Sequence, residues 1–311
     1  MAWSRSVAWS NDATRTATRT LDRLNARPRL PRPWLRFAPV TDVRDLRADE
    51  ARSIGDLLSR AGFGPTVAGL IAFPRESPAG DVLVAERNGR SVGGVCCASL
   101  GATGWIGALG VLPDARRRGV GEALTRSACA RLRERGAETV LLFATDMGRP
   151  LYERLGFESE DTVTAWRGTA GTARADVTLR VLREEDRAAV REIDRAATGE
   201  DRAPVLDALM PLSGLIAERR GEPVGWAVTS PWGAGVAICA ADEAAGVALT
   251  AAAAGGPGSN TIVVPDANRA AADALGRWGF APTAAGARMR LGPAVAWHAA
   301  MQFGLFNLFW G

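Results

Sequence analysis

The chain contains no lysine, and arginine supplies all 38 of its basic residues. A Walker A phosphate loop needs a lysine, so that mode of nucleotide binding is excluded. Histidine occurs once, as His298 in an apolar tail, where a packed, hydrogen-bonded role is expected ahead of a catalytic one. The four cysteines, Cys96, Cys97, Cys129 and Cys239, form no CxxC pair and no disulfide framework. They fit a reducing cytoplasm. Cys96 and Cys97 are neighbours on an expected strand and should face opposite sides, which suits core filling; no metal site is expected. No run of 18 apolar residues exists, so no membrane span is expected. The net charge is only +4 and the basic residues are spread along the chain, which does not read as a nucleic-acid binder. What remains, at 47% hydrophobic and 23% charged over 311 residues, is a globular protein of one or two domains.

Against these absences stands the stretch Trp105 to Glu122, WIGALGVLPDARRRGVGE. Apolar residues lead to Pro113, three arginines follow, and Gly119-Val120-Gly121 opens into EALTRSACARLRER. In that tail Ala123, Leu124, Ala128 and Leu132 make a helical stripe. The reading is buried strand, short loop, helix. Two glycines let the loop backbone approach a ligand closely. Unpaired N–H groups and the dipole at a helix N-terminus favour an anion there. Arg116, Arg117 and Arg118 add positive charge, so the expected ligand is a phosphate or pyrophosphate. A Rossmann loop is not matched, because Gly119-Val120-Gly121-Glu122-Ala123-Leu124 stops short of GxGxxG.

Residues 1–34 carry Arg, Ser and Thr with no apolar h-region and end in a Pro-rich run. A flexible extension is expected there, with a transit peptide as the alternative. Leu35–Val40 reads as a strand, and Thr41 as the N-cap of a helix running to Ala61 and stopped by Gly62. A second helical piece is expected from Thr66 to Phe73. Asp81–Arg87 and Ser91–Ser99 read as a hairpin about Asn88-Gly89. Thr139–Thr145 is a buried strand, followed by a short helix from Gly148 to Leu155 with Gly156 at its end.

Two motifs in this order carry a resemblance. Arg116–Gly121 matches R-x-x-G-x-G and resembles the acyl-CoA pyrophosphate loop of the GNAT superfamily of N-acetyltransferases. GRPLYERLGF, Gly148 to Phe157, resembles the closing motif of the same family. The resemblance covers residues 35–167 and implies acetyl-CoA held between splayed strands Trp105–Leu112 and Thr139–Thr145. It further implies that backbone groups of Leu109 and Val111 pair with the pantetheine arm. Arg116, Arg117, Arg118, Gly119, Val120 and Gly121 would then hold the pyrophosphate, and Tyr152, the sole tyrosine, would protonate the departing thiolate. No general base is assigned. Asp146 is a candidate by location, with a structural cap as its alternative, and Glu86 and Glu160 are weaker candidates.

Beyond the small-residue linker 168–176 the chain echoes itself. AERNGRSVGG (Ala85–Gly94) returns as AERRGEPVGW (Ala217–Trp226), and Leu155-Gly156-Phe157 as Trp278-Gly279-Phe280. Val177–Leu182 and the helix from Glu184 repeat the opening elements. An internal repeat argues for two tandem GNAT-like folds. In the second copy no arginine loop or GxG follows strand Gly235–Cys239, Asp242 and Glu243 would repel a pyrophosphate, and Leu275 stands at the place of Tyr152. The ending Arg288–Pro293 is similar to the R-M-x-x-G-P close of bacterial tandem acetyltransferases.

The resulting expectation is an α/β protein of two GNAT-like domains, each a mixed, mostly antiparallel sheet flanked by helices. Residues 35–167 form the working domain, 177–293 a degenerate one, and 294–311 an apolar tail packing across both. The expected activity is acetyl transfer from acetyl-CoA to a primary amine, on a small molecule or peptide. The alternative is a catalytically silent acyl-CoA-binding module. A cytoplasmic location is expected, with no nucleic-acid or membrane partner, and a homodimer is left open.

Overall fold

Strand β1 (Asp42–Asp45) opens the described part of the computed structural model, residues 41–310 except 170, 174, 212, 230, 234 and 256–260. The expected flexible extension and the strand expected at Leu35–Val40 lie outside the described residues. Thr41 does not cap a helix: the next residues extend along β2, and helical turns start only at Ala48–Glu50. Sheet pairing overrides the local cap signal, because Arg44 on β1 is bound by both Glu50 and Glu86.

Helix α1 (Ala51–Leu58) ends in a wide turn, Ser59–Phe63, and two short helices follow, α2 (Val67–Leu70) and α3 (Ala72–Glu76). Strands β2 (Gly80–Arg87) and β3 (Arg90–Leu100) form the expected hairpin, with positive φ at Asn88 and Gly89. Then come β4 (Thr103–Val111), α4 (Val120–Glu134), β5 (Thr139–Ala144), α5 (Arg149–Arg154) and β6 (Glu158–Arg167). The period-2 alternation of the strands separates two cores. Ile54, Leu57 and Leu58 of α1 pack on the Cys96 and Trp105 face. Leu124, Ala128 and Leu132 of α4 pack on the Cys97 and Ile106 face. Leu124 and Leu132 are fully buried, each contributing about 2 kcal/mol by transfer.

The second half repeats this order as β7 (Thr178–Val181), α6 (Arg187–Thr198), α7 (Ala203–Ala208), β8 (Gly214–Arg219) and β9 (Glu222–Thr229). It continues with β10 (Val236–Ala240), α8 (Glu243–Ala254), β11 (Thr261–Pro265), α9 (Arg269–Arg277) and β12 (Ala281–Leu291). An ion-pair triad is repeated too. Arg44 holds Glu50 and Glu86 in the first half, and Arg180 holds Asp186 and Glu218 in the second.

The halves are joined by exchanged strands. The larger sheet runs β1-β2-β3-β4-β5-β12-β6-β11, so β12 of the second half lies between β5 and β6 of the first. β6 in turn pairs with β11 of the second half. Residues 168–176 therefore link the halves in sequence without separating them in space, and the residues from Thr41 onward form one compact unit. The register of β6 on β12 is nearly self-symmetric, running from Arg167↔Ala281 to Glu158↔Arg290.

The smaller sheet runs β13-β10-β9-β8-β7, with β13 (Gln302–Gly304) drawn from the tail. β13 pairs with β10, and the Leu305 amide donates to the Val263 carbonyl of β11. The tail thus packs across both halves. Phe306 lies against Trp226 of the second, and Trp310 against Phe73 of the first. His298 hydrogen-bonds the Ala196 carbonyl at 2.7 Å. Among the described residues no helix is long and apolar enough to cross a membrane.

Candidate active site

β4 and β5 are parallel and pair only from Thr103↔Thr139 to Ile106↔Leu142. Beyond that point they part. A bulge supplies the local reason: Cys96 faces Gly107 and Gly94 faces Gly110, so Ala108 and Leu109 together oppose Val95 alone. Ala108 takes φ +49°, which is rare for a side chain with a Cβ and typical of strain kept at a functional position.

The bulge also sets which backbone groups are left over. The Leu112 amide donates to the Val92 carbonyl, and Gly110 faces Gly94. Antiparallel alternation then turns the N–H and C=O groups of Leu109 and Val111 away from β3, towards the opening. These are the two residues the sequence reading chose. One of those groups is already used, since the Val111 carbonyl accepts from Arg116 Nε at 3.0 Å.

At the mouth of the opening α4 begins without a side-chain cap, Gly119 being its N-cap at φ +79°. Arg117 just before it also has positive φ, a curl that gathers successive N–H groups in one direction. A Cβ on Gly121 would meet Leu151 at 3.2 Å and lie 3.9 Å from both Leu109 and Val111. Glycine there keeps a passage open between the helix and the end of β4. Val120 is buried in the core and offers this site only its backbone. The three arginines divide their work. Arg116, itself exposed, lays its Nη2 on the Ala61 carbonyl at 2.7 Å, and so anchors the loop to the turn after α1. Arg117 and Arg118 are exposed beside the helix N-terminus.

Tyr152 on α5 is buried on the α4 side of the sheet, edge-on to Phe157 at 5.7 Å. Burial pushes its phenol well above the ordinary value, so it stays protonated and able to donate. Of the candidate bases, Asp146 is an exposed turn residue past β5. Glu86 is held by Arg44, whose hydrogen bond keeps its carboxyl below the ordinary range. Glu160 is bound by Arg288 and Arg290. Both Glu86 and Glu160 are therefore engaged by arginines.

Three further groups gather on the opposite face of β4 and β5; of these the sequence motifs marked only Arg288, as the start of the R-M-x-x-G-P ending, and gave it no place in the site. Glu200 is buried and accepts from Thr103 Oγ1 at 2.9 Å and from the Trp105 indole at 2.7 Å. Burial raises its pKa. Arg288 is stacked between the rings of Trp105 and Trp297. Phe309, from the tail, sits on Gly107 where the strands part. Only the aromatic content of the tail hinted at the last of these. Among the described residues no cluster of His, Cys, Asp or Glu could hold a metal.

The corresponding place in the second half is filled. Asp242 caps α8 through the Ala245 amide at 3.0 Å and pairs with Arg219. Between β10 and β11, where an opening would lie, β13 and Leu305 bond to both sides. Leu275, at the place of Tyr152, is fully buried.

This arrangement defines a mixed sheet with parted parallel strands and an uncapped helix at their mouth, the fold of GNAT structures. Residues 78–159 match the family model described as the acetyltransferase (GNAT) domain, a span holding β4, β5, the arginine loop and Tyr152. A putative acetyltransferase from Pyrococcus horikoshii is similar in structure at TM-score 0.76 and 22% identity, covering 87% of this chain and 96% of its own. A GCN5-related N-acetyltransferase from Sphaerobacter thermophilus is similar at TM-score 0.57 and 17% identity, covering 83% and 98%. A fungal glucosamine N-acetyltransferase region is similar at TM-score 0.62 and 14% identity, covering 81% of this chain and 38% of that one. A search of curated proteins returned no match.

Proposed function

We propose that the first half is an acetyl-CoA-dependent N-acetyltransferase acting on a primary amine, and that the chain is a tandem pair with a silent second half. The observation that carries this is the parting of β4 from β5 directly beside an uncapped helix N-terminus. A strand gap offers backbone pairing to an amide-bearing pantetheine arm, and free helix amides offer a seat for its pyrophosphate. The residues present fit that cosubstrate. The Leu109 and Val111 backbones face the gap, Gly119 and Gly121 admit the phosphates, and Arg117 and Arg118 supply charge. Arg116 holds the loop in shape.

Acetyl-CoA supplies the thioester. The amine nitrogen bonds to its carbonyl carbon, the C–S bond breaks, and Tyr152 donates its phenolic proton to the departing sulfur; the proton that the nitrogen sheds on becoming an amide passes to water, and the phenol is restored from solvent. Positioning of the amine and the polar backbone of the bulge carry most of the rate. The second half acts as a scaffold whose own cleft is sealed by β13.

Amine-dependent release of free CoA thiol by the purified chain, with the acetylated amine identified by mass, tests this reading. Acetyl-CoA binding without amine-dependent release would leave the silent acyl-CoA-binding module in its place.

A further inference from the structure

Resting on that reading, we propose that the C-terminal tail forms the acceptor-side wall of the cleft and selects primary amines carrying an aryl or alkyl group. With the arm between β4 and β5, the thioester lies near Gly107–Leu109. Helices α4 and α5 cover one face of the sheet there, so the amine arrives from the other. On that face the main chain of Phe309 rests on Gly107: a Cβ added to Gly107 would stand 2.7 Å from the Phe309 Cβ and 2.8 Å from its carbonyl oxygen. Phe63 meets the Phe309 ring edge-on at 5.6 Å. Phe143 and Leu308 complete the surround, and with Phe63 they remain only half-buried. Phe143 packs against Trp105 of β4 at 4.9 Å and still keeps part of its surface open.

This surround is apolar, and the carboxylates around it are engaged. Glu200 is held by Thr103 and Trp105, Asp194 by Arg202, and Glu160 by Arg288 and Arg290. Apart from these, Asp146 lies exposed in the turn past β5, at the solvent edge, so a second ammonium finds no partner inside the apolar surround and loses hydration on entering it. An amine with one charge and an apolar body gains contact area. The same low-polarity setting disfavours its ammonium form, which lowers its pKa and favours the free-base nucleophile without a dedicated base. The tail reaches this place because β13 anchors it in the cleft of the second half, which gives that half a part in acceptor choice.

The test compares 2-phenylethylamine with spermidine on the full chain, by thiol release at saturating acetyl-CoA. The expected result is a kcat/KM for 2-phenylethylamine about tenfold or more above that for spermidine. Phe309→Ala should raise the 2-phenylethylamine KM about fivefold or more with little change in kcat, and leave the Kd for CoA unchanged. Phe63→Leu, which keeps most of the core volume, should act in the same direction if the alanine variant folds poorly. Equal use of the two amines, or a preference for spermidine, overturns the proposal. If neither amine releases thiol, a wider amine screen decides the acetyltransferase reading, and calorimetry with 2-phenylethylamine, with and without CoA, decides the wall by itself. Binding that weakens in Phe309→Ala supports the wall, and absence of binding overturns it.

Discussion

Gly119 and Asp242 are the N-caps of matching helices, and they treat an anion in opposite ways. Their separation, 242 − 119 = 123, equals that of the closing glycines, 279 − 156 = 123, so the two caps hold one place in the repeat. Glycine leaves the helix amides of the first half open. Aspartate spends those of the second half on its own carboxylate, at 3.0 Å from the Ala245 amide.

Gly119→Asp should therefore convert the working loop into its silent counterpart. A side chain at φ +79° is strained, and the carboxylate repels phosphate from the helix amides. Calorimetry should show CoA affinity falling about 100-fold or more, roughly 2.7 kcal/mol. The reverse change, Asp242→Gly, should create no new site, because β13 still fills the second cleft. A CoA site gained there would contradict this view of the second half.

Tyr152→Phe should lower kcat about tenfold or more, near 1.4 kcal/mol, with the Kd for CoA unmoved. Phenylalanine keeps the ring that packs in this core, so melting temperature should change little. Unchanged turnover would remove Tyr152 from the mechanism.

The features that the structure gathers at the candidate site are in part local in the sequence. The arginine loop, Gly119, Gly121 and Tyr152 are local signals, each fixed by neighbours a few residues away in the chain. The hairpin at Asn88-Gly89 and the opposed cysteines followed from turn chemistry and strand alternation. What was not readable depends on distant pairing. The helix expected from Thr41 gives way to strand β1 because Asp42–Asp45 pair with β2, some 40 residues on. The insertion of β12 between β5 and β6 leaves no mark in the hydrophobic pattern, since a strand buried in either sheet reads alike. The bond from Arg116 to the Ala61 carbonyl was not readable either, since only the fold brings residues 55 apart together.

Arg202 and Asp194 form a fully buried pair at 2.7 Å on the inner face of the second half. Arg202→Met leaves that carboxylate buried and uncompensated, and should cost about 3–5 kcal/mol in urea unfolding. The double change Arg202→Met with Asp194→Leu should recover most of the loss. A single variant within about 0.5 kcal/mol of wild type would show that water reaches Asp194.

Alkaline stability should follow the buried thiols. Burial lifts Cys129 from its ordinary 9.0 to about 11, and Cys97 from 9.0 to about 12. A folded-state pKa above the unfolded one means stability is full below pH 9 and falls as pH rises, because the unfolded chain releases these protons first. Unfolding free energy should decline between pH 9 and 11, and Cys129→Ala should flatten that decline. An unchanged slope in the variant would assign the decline to other groups.

Calorimetric titration of the full chain with acetyl-CoA tests the central claim most directly. The account predicts one site per chain, lost in Gly119→Glu and kept in Asp242→Gly. Two sites, or a single site indifferent to Gly119, would contradict it.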